Sequence, residues 1–219
     1  MVNKNIAVKY CGCRSREDLE LVMNSSAGYA GFIFAQSKRK VRPQEVSRWL
    51  KELQPVPQKL VGVFVNSSIE EIEQALNVLP LDVIQCHGDE TPQFLKQLKK
   101  KTGKTIWKAV RHEEEGWKAL AEYAGVADGY VIDARVAGAY GGTGTAFDWE
   151  AVPFYLEAAS VQEVPCFIAG GISASNITRL LRYQPHGIDI SSGIEMDGKK
   201  SKEAITELEG MIINENSIS

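Results

Sequence analysis

Eight short apolar runs, each followed by a stretch with helical spacing, recur along the chain, and this alternation restricts the possible folds more than any other feature. The strand-like runs are Ile6–Tyr10, Gly31–Phe34, Leu60–Val65, Asp82–Cys86, Thr105–Val110, Gly129–Ile132, Cys166–Ala169 and Ile188–Ile190. Helical spacing is found at Arg16–Asn24, Pro43–Leu53, Ile69–Leu79, Pro92–Lys101, Gly116–Tyr123, Trp149–Ala159, Ser175–Tyr183 and Lys202–Ile213. Strict strand-then-helix order implies parallel strands with right-handed crossovers, and eight repeats favour closure into a barrel over an open sheet. The expected fold is therefore α/β, a single-domain (β/α)8 TIM barrel over residues 1–219. A chain of 219 residues with 44% hydrophobic content is long enough to bury the core this requires.

Composition removes several functional classes. A net charge of −3 gives no basic footprint for nucleic acid, and no apolar run approaches the ~18 residues of a membrane span. The N-terminus leads straight into a strand without a signal-peptide pattern, so a cytoplasmic protein is expected. Cys11, Cys13, Cys86 and Cys166 suit a reducing compartment better than a disulfide scaffold. The C-x-C spacing of the first two has no second pair to complete a zinc site, and three histidines supply a catalytic metal centre poorly. No metal is expected.

In such a barrel the chemistry collects where strands end. Gly170-Gly171 closes the seventh run, and Ser191-Ser192-Gly193 closes the eighth. Bare amides and two hydroxyls around one point suit a phosphate dianion, and the loops after strands seven and eight are the usual phosphate site of this fold. Cys11 ends the first strand and is followed by Gly12. It reads either as a base facing the barrel mouth or as a buried small hydrophobe. As a base it needs help, because a thiol with a reference pKa near ~8.5 is only slightly ionised at neutral pH. Behind the second strand, Ser37-Lys38-Arg39-Lys40 brings an arginine fork that can grip a carboxylate with two parallel hydrogen bonds. His87, after the fourth strand, is a site residue or a structural histidine. Lys108, inside the fifth, raises a Schiff-base alternative, although a half-buried, paired lysine is the commoner case. Asp133 closes the sixth strand and can present an acid or base to the cavity. The glycine-rich run that follows, including Gly142, reads as a loop beside the phosphate.

Taken together, Lys9-Tyr10-Cys11-Gly12, Gly31-Phe32-Ile33-Phe34 with Arg39 behind it, Val61 to Asn66, Gln85-Cys86-His87-Gly88, Ile132-Asp133, Gly141 to Gly144, Ala169 to Ile172 and Asp189 to Glu195 resemble the phosphoribosylanthranilate isomerase family. The matches run in order over nearly the whole chain. The resemblance implies an Amadori rearrangement of N-(5-phosphoribosyl)anthranilate in tryptophan biosynthesis, with that small molecule as the only ligand partner and no cofactor. It implies Asp133 as general acid, protonating the ring oxygen as C1–O breaks, and Cys11 as general base, removing the C2 proton of the Schiff-base intermediate. To donate, Asp133 must be protonated when substrate is bound. The resemblance further assigns Arg39 to the anthranilate carboxylate. Gly142, Gly170, Gly171, Ser191, Ser192 and Gly193 fall to the phosphate, and His87 and Asp189 are further candidate substrate contacts. Cys13, Cys86 and the Lys199-Lys200-Ser201 run depart from the family's usual residues, with Ser201 the expected cap of the last helix.

Two other functions compete. One is a lysine-dependent aldolase or lyase acting on a sugar phosphate through Lys108; the other is a non-catalytic barrel that senses a phosphorylated ligand. The composition is compatible with a monomer or a homodimer.

Overall fold

The computed structural model describes residues 6–133 and 149–218. Eight parallel strands close into a barrel in sequence order: β1 Ala7–Cys11, β2 Tyr29–Ile33, β3 Lys59–Phe64, β4 Val83–Cys86, β5 Thr105–Arg111, β6 Gly129–Asp133, β7 Cys166–Ala169 and β8 Gly187–Ile190, which pairs back to β1. The helices between them are α1 Arg16–Met23, α2 Pro43–Glu52, α3 Ile69–Leu76, α4 Pro92–Thr102, α5 Val152–Ser160, α6 Ile177–Leu181 and α7 Lys202–Ile218. A small antiparallel hairpin, β9 Glu195–Met196 with β10 Lys199–Lys200, lies between β8 and α7.

Local chemistry accounts for most of these boundaries. The hydroxyl oxygens of Ser15, Ser68 and Thr91 accept the backbone N–H groups of Asp18, Glu71 and Phe94 at 3.1–3.2 Å, capping α1, α3 and α4. Ser201 does the same for α7 by accepting from Ala204 N at 3.2 Å. Pro43 and Pro92 open α2 and α4, where a missing N–H costs nothing.

Several elements differ from the expectations drawn from sequence: α3 stops at Leu76, Trp149–Ala151 is a 3-10 turn ahead of α5, α7 runs on to Ile218, and three more have a visible cause. β2 begins at Tyr29, because pairing with both β1 and β3 holds the glycine-flanked segment extended. Gly116–Tyr123 is a 3-10 helix. The carbonyl of Leu120 is drawn out of a helical ladder by the hydroxyl of Tyr130 at 2.9 Å and the amide of Gln162 at 3.1 Å. α6 is shorter than its pattern, since Asn176 accepts from Ser173 N at 2.9 Å and donates to Gly171 O at 2.8 Å, a local turn that competes with the helix.

The two-residue period of the strands splits the core in two. Outward residues such as Val8, Phe32, Leu60, Ile84, Ile132 and Ile188 pack under helix residues such as Leu19, Val46, Ile72, Leu95 and Leu180. Inward residues Val61, Val83, Trp107, Val131 and Phe167 form a separate interior cluster, with Ala7 and Tyr29 packed against it. Tyr29, Trp107 and Phe167 meet with ring centroids 4.6–5.6 Å apart, so the lower half of the barrel is a solid aromatic plug. Among the described residues no helix is long and apolar enough to cross a membrane.

Candidate active site

Strand parity decides which polar residues reach the cup. In β1 the inward positions are Ala7, Lys9 and Cys11, and in β6 they are Gly129, Val131 and Asp133, because Ala7 and Val131 belong to the interior cluster. Backbone register then links Asp133 to Ala169, Ala169 to Asp189 and Asp189 to Lys9, one level around four adjacent strands. Cys11 stands two residues higher on the last of these. The thiol and the carboxyl thus rise from the same wall, three strand spacings of about 4.8 Å apart.

Each has a charged or polar neighbour. Lys9 is fully buried and its ammonium donates to Asp189 Oδ2 at 2.7 Å. Burial pushes the Cys11 thiol up from its ordinary value, and Asp189 adds to this; Lys9 and Lys200 pull it down without overcoming burial. At rest the thiol is protonated. Lys9 remains charged, because the nearby carboxylate and thiol outweigh the burial that would strip its proton. On the other side, His87 Nε2 lies 3.1 Å from Asp133 Oδ2, and its Nδ1 lies 3.0 Å from Gln85 Nε2. With Gln85 donating, the network assigns the ring proton to Nε2, so that His87 donates to Asp133.

Arg39 reaches over the rim from the loop behind β2. Its Nε and Nη2 donate to the two carboxylate oxygens of Glu195, both at 2.7 Å. Burial alone would raise Glu195, but the hydrogen bonds and charges of Arg39 and Lys200 outweigh it and hold the carboxyl below its ordinary value. Lys200, buried, donates to Glu195 Oε1 at 3.1 Å, Cys11 O at 2.7 Å and Ser191 O at 3.0 Å.

The two candidate phosphate loops meet at one rim. Gly170 and Gly171 adopt φ of +89° and +68°, and Ser173 forms a parallel bridge to Gly193. The loops touch so closely that a Cβ on Gly193 would overlap the carbonyl oxygen of Ile172. Only glycine fits there. Ser192 is exposed, whereas the hydroxyl of Ser191 donates to Cys11 O at 3.1 Å. Gly142 lies outside the described residues.

Lys108 falls on the outward parity of β5, where its ammonium donates to Gly88 O at 2.6 Å and Glu90 Oε2 at 3.0 Å. A buried, paired lysine outside the cup is unsuited to forming a Schiff base there. The site residues that sequence reasoning left unassigned are Lys9, Glu195 and Lys200. Lys9 carried a signal, a cation two positions before Cys11 on the same face of an apolar strand; the other two carried none.

The model of the N-(5'-phosphoribosyl)anthranilate (PRA) isomerase family matches residues 8–210. The chain belongs to this family. A phosphoribosylanthranilate isomerase of Geobacillus thermodenitrificans is 54% identical over 204 residues, covering 93% of this chain and 92% of the relative. Among solved structures, the phosphoribosylanthranilate isomerase of Thermotoga maritima superposes with a TM-score of 0.82 at 28% identity, over 95% of this chain and 99% of that one. A phosphoribosylanthranilate isomerase in complex with reduced 1-(o-carboxyphenylamino)-1-deoxyribulose 5-phosphate does so at 0.79 and 26%, with the same coverage.

Proposed function

We propose that this chain, acting as one barrel domain, isomerises N-(5-phosphoribosyl)anthranilate to 1-(2-carboxyphenylamino)-1-deoxyribulose 5-phosphate in tryptophan biosynthesis, with Asp133 as general acid and Cys11 as general base. Family membership carries the reaction. The observation that supports the residue roles is the shared inward wall that holds Cys11 and Asp133 beside the joined glycine and serine turns.

Asp133 gives its proton to the furanose oxygen as C1–O breaks, and the anilino nitrogen supplies the electron pair that makes the Schiff base. Positive charge on that nitrogen acidifies C2–H. Cys11, as thiolate, then removes the C2 proton to leave an enolamine. A proton added at C1 and one lost from the C2 hydroxyl complete the ketone, with no net change in composition. The Lys9 ammonium and the cationic intermediate both favour the thiolate, opposing the burial that otherwise holds the sulfur protonated. His87 orients Asp133. Asp189 Oδ1 is buried with no partner among the described residues, which supports its role as acceptor for a substrate hydroxyl.

Arg39 receives the anthranilate carboxylate on the N–H groups that Glu195 leaves unused. The amides of Gly171, Ser192 and Gly193 take the phosphate, remote from the changing bonds and suited to positioning. A spectroscopic assay with freshly generated phosphoribosylanthranilate tests the reaction. Cys11→Ala and Asp133→Ala should each lower kcat by roughly 10²–10⁴-fold while the protein stays folded. Near-normal kcat in either variant would remove that residue from its role.

A further inference from the structure

The ammonium of Lys200 has three N–H donors, and the structure gives each its own acceptor: Cys11 O at 2.7 Å, Ser191 O at 3.0 Å and Glu195 Oε1 at 3.1 Å. The side chain is fully buried, so none of these donors is shared with bulk water. Each acceptor belongs to a different part of the site. Cys11 O is the carbonyl of the base, Ser191 opens the turn beside the phosphate, and Glu195 grips Arg39 through two bonds of 2.7 Å. The lysine backbone is itself anchored, with its N–H donating to the buried Asp18 Oδ1 at 3.1 Å.

We propose that Lys200 is a positioning residue that joins the base, the phosphate turn and the carboxylate-binding arginine into one rigid unit, fixing the distance between the two anionic ends of the substrate. The proposal rests on the isomerase reading above. Its physical basis is that charge-assisted bonds between buried groups are strong and directional, and that a planar arginine fork binds a carboxylate well only when its own plane is fixed. Glu195 fixes that plane, and Lys200 fixes Glu195. The lysine never touches substrate.

Two variants separate this role from a general contribution to folding. Lys200→Met removes all three bonds, whereas Glu195→Gln removes the charge that Arg39 and Lys200 share and leaves the bonds of Lys200 to Cys11 O and Ser191 O in place. For Lys200→Met, KM for phosphoribosylanthranilate should rise by roughly tenfold or more, and the affinity for inorganic phosphate, measured by calorimetry, should fall by a similar factor. For Glu195→Gln, KM should rise while phosphate affinity stays at the wild-type value. A folded Lys200→Met protein with both quantities unchanged overturns the proposal. So does an unchanged KM in Glu195→Gln, which remains decisive if Lys200→Met does not fold. If the wild type fails to isomerise phosphoribosylanthranilate but Lys200→Met still loses phosphate affinity, the reaction assignment fails and the lysine's anchoring of the anion site stands.

Discussion

Replacing Gly31 by alanine tests whether the sulfur of Cys11 is held where the reaction needs it. The two residues face each other across the β1–β2 pair. A Cβ placed on Gly31 would lie 2.8 Å from Cys11 Sγ, 3.1 Å from Cys11 Cα and 3.2 Å from Lys9 Cε. Ordinary contact begins near 3.4 Å, so the sulfur must retreat by about 0.6 Å. The backbone has little freedom to absorb this. Gly31 O accepts from Gly12 N at 2.8 Å and Cys13 N at 3.1 Å, which ties the chain immediately after Cys11 to the very residue being enlarged. The displacement therefore falls on the Cys11 side chain and on the lysine beneath it. Overpacking of this kind costs about 1–3 kcal/mol, a fall in Tm of roughly 2–12 °C for a domain of this size. Misplacing a catalytic group by about 1 Å can cost about 100-fold, so kcat should fall on the order of tenfold. KM should change little, since the carboxylate and phosphate ends are untouched. Steady-state kinetics at a temperature where the variant is fully folded, alongside thermal unfolding by circular dichroism, provide the measurement. An unchanged kcat in a folded Gly31→Ala protein, or a loss confined to KM, would refute the placement of the base.

Three further outcomes follow from the same geometry. Lys9→Met combined with Asp189→Asn removes a cation that favours the thiolate and neutralises the carboxylate it would otherwise leave unpaired. The pull of Lys9 on the thiol exceeds the opposing push of Asp189, so the acidic limb of the kcat/KM profile should move to higher pH, and a limb that stays in place or moves to lower pH would show that Lys9 does not outweigh Asp189 at the sulfur. Burial pushes the thiols of Cys13 and Cys86 up to about 12 and that of Cys166 higher still, so the folded state keeps protons that an unfolded chain releases from about pH 8.5 upward. Stability is complete below that value and should fall as pH rises, by up to about 4 kcal/mol per pH unit for the three thiols together. Equal urea midpoints at pH 8 and pH 10 under reducing conditions would contradict this. Finally, Gly210 lies within α7, and a Cβ there meets nothing within 4 Å. Gly210→Ala should stabilise the protein by about 0.5–1 kcal/mol, read as a higher Tm with kcat unchanged.

The pattern of strands and helices is written locally. An apolar run bounded by turn residues identifies a strand, and a serine or threonine before a helical stretch identifies its start, so β5, β7, α4 and the cap at Ser201 are readable from a few neighbouring residues. The departures occur where a distant group intervenes. Tyr130 and Gln162 take the carbonyl of Leu120 and leave Gly116–Tyr123 as a 3-10 helix. Asn176 bonds Gly171 and shortens α6. The ends of β1 and β6 were legible for the same local reason as the strands themselves. A cysteine or aspartate closing an apolar run in a barrel stands at the mouth, so the positions of Cys11 and Asp133 at strand ends are readable locally, whereas their roles come from the resemblance to the family.

The partners of these residues could not. Lys9 meets Asp189 at a separation of 180 positions, Arg39 meets Glu195 at 156, and Lys200 reaches Cys11 at 189. By itself the sequence determined the class of fold, the order of its elements and the residues that stand at strand ends, because each depends on periodicity and turn chemistry within a dozen positions. Tertiary structure alone decided that Arg39 is held by Glu195, that Lys9 lies between Asp189 and the thiol, and that Lys200 divides its donors among three parts of the site. Closing β8 against β1 brings the first and last strands together, and no local pattern records which charged side chains that closure will leave facing one another.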